Sequence, residues 1–247
     1  MYSPNIYQVN YTYSRNNNNK KEHINQQICD NFDYKKERYK FIQKTFGLFF
    51  LSILSTFGTC LKLKYSSGSI NLVKSEIGQT LTIISLLSII LTIFITICNY
   101  NLLRKSSIKY IIYTLFTFGI SWYVGISAIY IKSNILIAAI LITTGTTITL
   151  TIYSLITEYD FTIYTKYYII GLVAIILNGI INIFLQNFVL QLSINRFGYL
   201  LFHIIMINDV QMIVAKKHIK YKFYLNDSVL AVMILFIDTV NLFNYIY

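Results

Sequence analysis

The chain has 247 residues, of which 55% are hydrophobic and only 13% are charged, and its mean hydropathy is +0.54. Soluble domains carry about a quarter charged residues, so this composition predicts an integral membrane protein. The net charge of +11 is distributed between apolar runs rather than gathered in one basic patch. This pattern favours a role in membrane topology over nucleic-acid binding. The three cysteines have no metal or disulfide spacing, so neither a zinc site nor a disulfide framework is predicted.

The N-terminal segment, residues 1–40, is polar and includes the stretch RNNNNKKEHINQQ. It contains no apolar run that would serve as a cleavable signal peptide. A segment with so little apolar surface cannot offset the entropy cost of folding, so we expect a largely disordered cytosolic tail.

Seven apolar runs follow this segment, and a helix needs roughly 20 such residues to cross the bilayer core. The runs are 41–61, 77–98, 108–131, 135–157, 167–186, 198–215 and 228–247. Their connections are short, which predicts antiparallel neighbours in a single bundle. We therefore predict an all-α membrane protein with seven transmembrane helices and no second domain.

Basic residues predict the orientation of this bundle. With seven spans, sixteen Lys and Arg residues fall on the side of the N-terminal segment and five fall on the opposite side. Cytosolic loops carry the excess of Lys and Arg, so we predict that the N-terminus is cytosolic.

The last two runs each contain one acid, Asp209 in the sixth and Asp238 in the seventh. An Asp at the centre of a membrane helix costs about 2.5–3.5 kcal/mol, so both acids should be buried within the bundle. They lie 12 and 11 residues into their runs, and antiparallel packing would bring them to a similar depth. Intramembrane acids usually mark ion paths, proton relays or sensors. The alternative is structural, with each Asp capping a helix break or hydrogen-bonding within the bundle.

Two carboxyl groups this close cannot both ionise cheaply, so we expect the Asp209–Asp238 pair to hold a proton. Such a pair can bind a proton or, transiently, Ca²⁺, and its state changes with pH. Arg104 follows the second run on the predicted cytosolic side, and its guanidinium has the geometry to pair with a carboxylate. The alternative for Arg104 is a simple topology signal.

Other polar residues carry weaker signals. His203 lies six residues before Asp209 on a different helix face, so we interpret it as a hydrogen-bonded bundle residue. Glu158 and Asp160 are interpreted as loop carboxylates or as residues that mark the end of a helix. The chain contains no HExxH, GxSxG, P-loop or GxGxxG motif. We therefore predict neither enzymatic activity nor a cofactor, and an intramembrane aspartyl hydrolase is the weak enzyme alternative.

The sixth run resembles the Bax inhibitor-1 family, also called the transmembrane Bax inhibitor motif or lifeguard family. The family pattern F-x-x-x-x-x-x-D-T-Q-x-I falls on residues 202–213, which end in NDVQMI. Asp209 and Gln211 match the pattern, whereas Val210 replaces its Thr.

The last run carries a more specific match to the same family. The family reads roughly A-x-x-L-Y-x-D-I-I-N-L-F-x-x-I-L, and this chain has AVMILFIDTVNLFNYIY, which keeps Asp238 and Asn241. Phe236 replaces the usual Tyr. Looser matches occur in RYKFIQKTFGLFFLSILST, in LLRKSSIKYIIYTLFTFGISWYVG and in TEYDFT. The resemblance therefore spans about residues 38–247.

The resemblance implies a seven-helix bundle whose last helix is enclosed by the other six. It implies a pH-sensitive calcium leak through an endoplasmic reticulum or Golgi-type membrane, and inhibition of stress-induced cell death. The family's acid latch would be Asp209 and Asp238, with Arg104 as its cation. The implied partners are the lipid bilayer, Ca²⁺ and protons. The alternative is a non-conducting protein that binds cell-death regulators or other membrane channels.

Overall fold

A computed structural model describes residues 6–98, 102–103, 107–215 and 223–246, with side chains from residue 35 onwards except at residue 97. The chain divides into two compact units, residues 1–41 and 42–247. The first unit is helical from Ile6 onwards. The second unit contains the packed bundle, and the following paragraphs describe it.

The described part of the chain is built from helices and contains no strand. The helices are α1 (Ile6–Tyr65), α2 (Ser69–Lys74), α3 (Glu76–Cys98), α4 (Ile108–Tyr130), α5 (Ser133–Ile156), α6 (Thr165–Leu185), α7 (Phe188–Val214) and α8 (Ser228–Ile246). A short 3₁₀ helix, Phe161–Tyr164, precedes α6.

Seven of these helices are long and apolar enough to cross a membrane: α1 from residue 35, and α3 to α8. Helix α2 is a six-residue helix in the connection between the first two spans. The predicted fold class, an all-α membrane protein with seven transmembrane helices, is thereby confirmed.

Helix α1 is much longer than the apolar run from which it was predicted. It begins at Ile6 instead of residue 41, and so runs through the segment for which composition predicted disorder. No Gly or Pro lies between residues 5 and 46 to interrupt a helix. The expectation of a disordered segment relied on polarity, which does not by itself oppose helix formation.

Helix α7 also begins earlier than predicted, at Phe188 rather than at residue 198. Asn187 caps it, because its side-chain oxygen accepts a hydrogen bond from the backbone N–H of Leu190. Gln, Ser, Asn and Arg in the first three turns lower the hydropathy without opposing the helix. Asp209 therefore lies near the C-terminal end of α7 and not at its middle.

The buried core is concentrated in α7 and α8, whereas α6 has no buried residue. Helix α8 packs against α7, α5 and α4. Its Phe236 meets Phe116 of α4, with 6.1 Å between ring centroids, and its Phe243 meets Phe57 of α1 at 5.8 Å. Helix α8 thus contacts four other helices, and its complete enclosure by six stays a prediction.

Hydroxyl groups join α1 to α4 at two successive levels. The oxygens of Ser52 and Tyr113 lie 2.8 Å apart, as do those of Thr56 and Ser121 one turn further along. All four side chains are at least partly buried. Interhelical hydrogen bonds of this kind contribute to helix association inside a membrane, where the hydrophobic effect does not.

A glycine allows α3 and α4 to approach closely. A Cβ atom at Gly119 of α4 would lie 2.8 Å from the carbonyl oxygen of Ser85 in α3, and would also meet the Ser88 side chain. Such overpacking costs about 1–3 kcal/mol, so Gly119→Ala should lower stability by that amount in thermal unfolding. Gly145→Ala is the control, because no atom lies within 4 Å of a Cβ there. Equal stability of the two variants would contradict this account.

Candidate functional site

Asp209 of α7 and Asp238 of α8 come together in the structure. Their side chains are almost fully buried, with 4% and 3% exposure, and their carboxyl groups lie within hydrogen-bonding reach of each other. Both line one cavity of about 340 Å³ between α6, α7 and α8. Most of the other residues lining this cavity are apolar, among them Phe202 and Ile234. The arrangement is a pair of carboxyl groups at the wall of a largely apolar cavity.

The two acids differ in their hydrogen-bond partners. Asn208 donates from its side-chain nitrogen to Oδ1 of Asp209 at 2.8 Å. Thr165 at the start of α6 donates in turn to the side-chain oxygen of Asn208 at 3.1 Å. By contrast, Oδ2 of Asp238 has no hydrogen-bond partner among the described residues. One acid is therefore held by a short polar chain, while the other retains a free, buried oxygen.

Gln211, one turn beyond Asn208, fixes the connection between α5 and α6 to α7. Its side-chain nitrogen donates to the carbonyl oxygen of Tyr159 at 2.7 Å, and its side-chain oxygen accepts from the N–H of Phe161 at 2.9 Å. Ser154 adds a third contact by donating to the carbonyl oxygen of Ile207 at 3.0 Å. The connection therefore lies against the turn of α7 that carries Asp209.

The connection itself is ordered by local hydrogen bonds. Asp160 accepts from the backbone N–H of Thr162 at 2.9 Å and from its hydroxyl at 2.6 Å, which caps the 3₁₀ helix. Glu158 is exposed. Asp160 is thus a loop carboxylate with a capping role, as its position in TEYDFT suggested.

His203 makes a contact within its own helix. Its Nδ1 donates to the carbonyl oxygen of Tyr199 at 2.6 Å, and the two rings meet edge to face with centroids 4.1 Å apart. His203 does not line the cavity of the acid pair. Its interpretation as a hydrogen-bonded bundle residue agrees with this geometry.

Arg104 and Asn241 are the remaining site residues that were predicted from the sequence. Arg104 lies outside the described residues, so its pairing with the acids stays a prediction. Asn241 is partly buried on α8, about one turn after Asp238. The sequence alone does not single out Thr165, because its role depends on the tertiary contact of α6 with α7.

A second, larger cavity of about 520 Å³ lies among α1, α2 and α4. It is lined by hydroxyl-bearing and apolar residues and by Lys62, and no acid lines it. The described residues also contain no group of three or more His, Cys, Asp or Glu side chains that would hold a metal. Among the described residues, the pair of acids therefore distinguishes the smaller cavity from the larger one.

Seven membrane-spanning helices with paired acids on the last two define a multi-pass helical membrane protein with an intramembrane carboxyl site. The family model described as "Inhibitor of apoptosis-promoting Bax1" matches residues 38–247. The chain therefore belongs to the Bax inhibitor family. This match covers the range over which the sequence resembled that family.

Proposed function

We propose that this Bax inhibitor-like membrane protein is a pH-sensitive calcium leak channel that inhibits stress-induced cell death. The observation that carries the proposal is the buried Asp209–Asp238 pair beside a cavity, with one carboxyl oxygen of Asp238 free of described partners. Intramembrane acids are costly, and they are retained where ions or protons pass or are sensed.

The pair responds to pH because its two carboxyl groups share one low-dielectric site. A single proton between them leaves one negative charge, whereas its loss leaves two like charges that repel each other. A conformation that separates the acids then becomes more favourable, and the open/closed equilibrium shifts. Arg104 would lower the energy of the doubly ionised state if it reaches the pair.

Calcium suits this site as a passing ion rather than as a resident one. Ca²⁺ prefers six to eight oxygen ligands, and two carboxyl groups supply only some of them. Conduction needs binding that is favourable enough for entry and weak enough for exit. A site with few fixed ligands meets this requirement.

The cellular setting is part of the proposal. The excess of basic residues on the side of the N-terminal segment supports a cytosolic N-terminus. Membership of the Bax inhibitor family supports a role in cell death and an endoplasmic reticulum or Golgi-type membrane.

The test is Ca²⁺ flux into liposomes that contain the purified protein, measured across a range of pH. We expect flux that changes with pH, and we expect Asp209→Asn and Asp238→Asn each to flatten the profile. Glu158→Gln is the control, because this acid is exposed and outside the cavity. If both Asn variants keep the native rate and pH profile, the acid pair is not the sensor.

A non-conducting interaction protein is the second candidate, and α6 is the observation that favours it. This helix is apolar and packs against α7, yet none of its residues is fully buried, so the side of α6 that faces away from α7 is free to contact lipid or other membrane helices. Cell-death regulators or other membrane channels would be its partners. Absence of flux in liposomes together with retained protection of stressed cells would favour this function.

An enzymatic role is not proposed. An intramembrane aspartyl hydrolase would use two neighbouring acids, but the flanking glycines typical of such proteases are absent from INDVQ and FIDTV. Cleavage of a transmembrane peptide by the purified protein, lost in either Asn variant, would be needed to support it.

A further inference from the structure

One face of α5 is buried along most of its length. Its buried residues are Leu136, Ala139, Thr143, Thr147 and Ser154, whose spacing places them on a single stripe. Ser154 donates to the carbonyl oxygen of Ile207 in α7, and α5 packs against both α7 and α8. The stripe therefore faces the two helices that carry the acid pair.

Two threonines on this stripe behave differently from their neighbours. Thr144, Thr149 and Thr151 each donate to the carbonyl oxygen four residues earlier, as membrane threonines commonly do. Thr143 and Thr147 are 0% and 5% exposed, yet their hydroxyl oxygens have no partner within the described ranges. Buried polar groups are nearly always satisfied, so two such hydroxyls one turn apart require an explanation.

The position of these hydroxyls relative to the acids follows from one contact. Ser154 lies level with Ile207, which precedes Asp209 by two residues. Helices α5 and α7 run in the same direction, and Thr147 and Thr143 lie about 10 and 16 Å back along α5 from Ser154. They therefore lie between the level of the acid pair and the end of the bundle where α5 begins.

We propose that Thr143 and Thr147 supply oxygen ligands to the cation as it passes between the acid pair and that end of the bundle. The inference rests on the proposed channel function and extends it to residues outside the acid site. Hydroxyl oxygens are hard ligands of the kind that Ca²⁺ prefers. They carry no charge, so they replace part of the hydration shell without trapping the ion. Asp238, which keeps one carboxyl oxygen without a partner among the described residues, lies on α8, and α5 packs against that helix.

The experiment compares Ca²⁺ flux in liposomes for two double variants of nearly unchanged shape. Thr143→Val with Thr147→Val removes the two unpartnered hydroxyls, and we expect about a tenfold loss of flux, because each hydroxyl contributes a hydrogen-bond-sized interaction. Thr144→Val with Thr151→Val is the matched control, since those hydroxyls already bond to backbone carbonyls. The control should conduct like the native protein.

Thr143→Ser with Thr147→Ser keeps the hydroxyls and should retain most of the flux. This distinguishes ligation from packing, and thermal unfolding of each variant checks the fold. If the native protein conducts and Thr143→Val with Thr147→Val conducts equally well, the proposed role of the two hydroxyls is wrong, whereas the proposed channel function is retained. If the native protein does not conduct, both proposals fail.

Discussion

Asp238→Asn is expected to remove most of the pH dependence of the protein's thermal stability. In the native protein, loss of the proposed shared proton at alkaline pH would leave two buried like charges, an uncompensated arrangement of the kind that costs about 3–5 kcal/mol. For a domain of this size, that is a fall of roughly 6–20 °C in melting temperature as pH rises. In the variant, an amide faces Asp209 and only one negative charge can form.

The sign of this effect follows from which state the proton stabilises. On the proposed sharing of a proton, the contribution of the pair to the free energy of unfolding is fully present at acidic pH and is lost as pH rises. Melting temperatures of the native and variant proteins in detergent, recorded across the pH range, measure this pH dependence of stability directly. Glu158→Gln should retain the native dependence, because Glu158 is exposed. If the melting temperature of Asp238→Asn falls with rising pH as steeply as that of the native protein, the two acids do not share a proton.

The sequence predicted the transmembrane helices well because a bilayer imposes a simple requirement of length and apolarity. It located α3 to α6 and α8 within about two residues at each end. It misjudged the start of α7, where Gln191, Asn195 and Arg196 reduce hydropathy but are compatible with a helix. Hydropathy measures transfer into lipid, whereas a helix begins where its backbone is capped.

The acid pair was predictable for a different reason. An Asp in an apolar run is expensive, so two of them on successive runs indicated a shared, buried location. Both acids line one cavity, in keeping with the expected similar depth, although Asp209 lies near the end of α7 and not at its middle. The pair forms through the packing of α7 on α8 rather than through equal positions along the two helices.

The polar contacts around the pair could not be predicted from sequence. The hydrogen bonds of Asn208 and Gln211 join residues about 40 to 50 positions apart, on the far side of a connection. The orientation of the Thr143 and Thr147 hydroxyls depends on side-chain rotamers. In the sequence TTGTTITLT these two threonines cannot be told apart from the neighbouring threonines whose hydroxyls are hydrogen-bonded. Such details follow from tertiary packing, which composition and periodicity do not specify.

Gln211→Met should destabilise the protein by about 2–4 kcal/mol, because it leaves two backbone groups without their partner. Gln211 is 2% exposed, and its amide bonds to both Tyr159 and Phe161. Met keeps the length and flexibility of the side chain, so the loss reflects hydrogen bonding rather than volume. Gln191→Met on the same helix is the control, since Gln191 is exposed and its amide bonds to the side chains of Asn182 and Asn195 instead of to backbone groups.

The same variant tests whether Gln211 holds the connection against the acid site. Hydrogen exchange should accelerate specifically in residues 157–164 of the Gln211→Met protein, because opening that segment no longer breaks two hydrogen bonds. Gln211→Glu should have a similar effect, since its second oxygen would face the carbonyl oxygen of Tyr159. Unchanged protection of residues 157–164 in both variants would show that other contacts fix the connection. Faster exchange with an altered pH profile of flux would make this segment part of the gate.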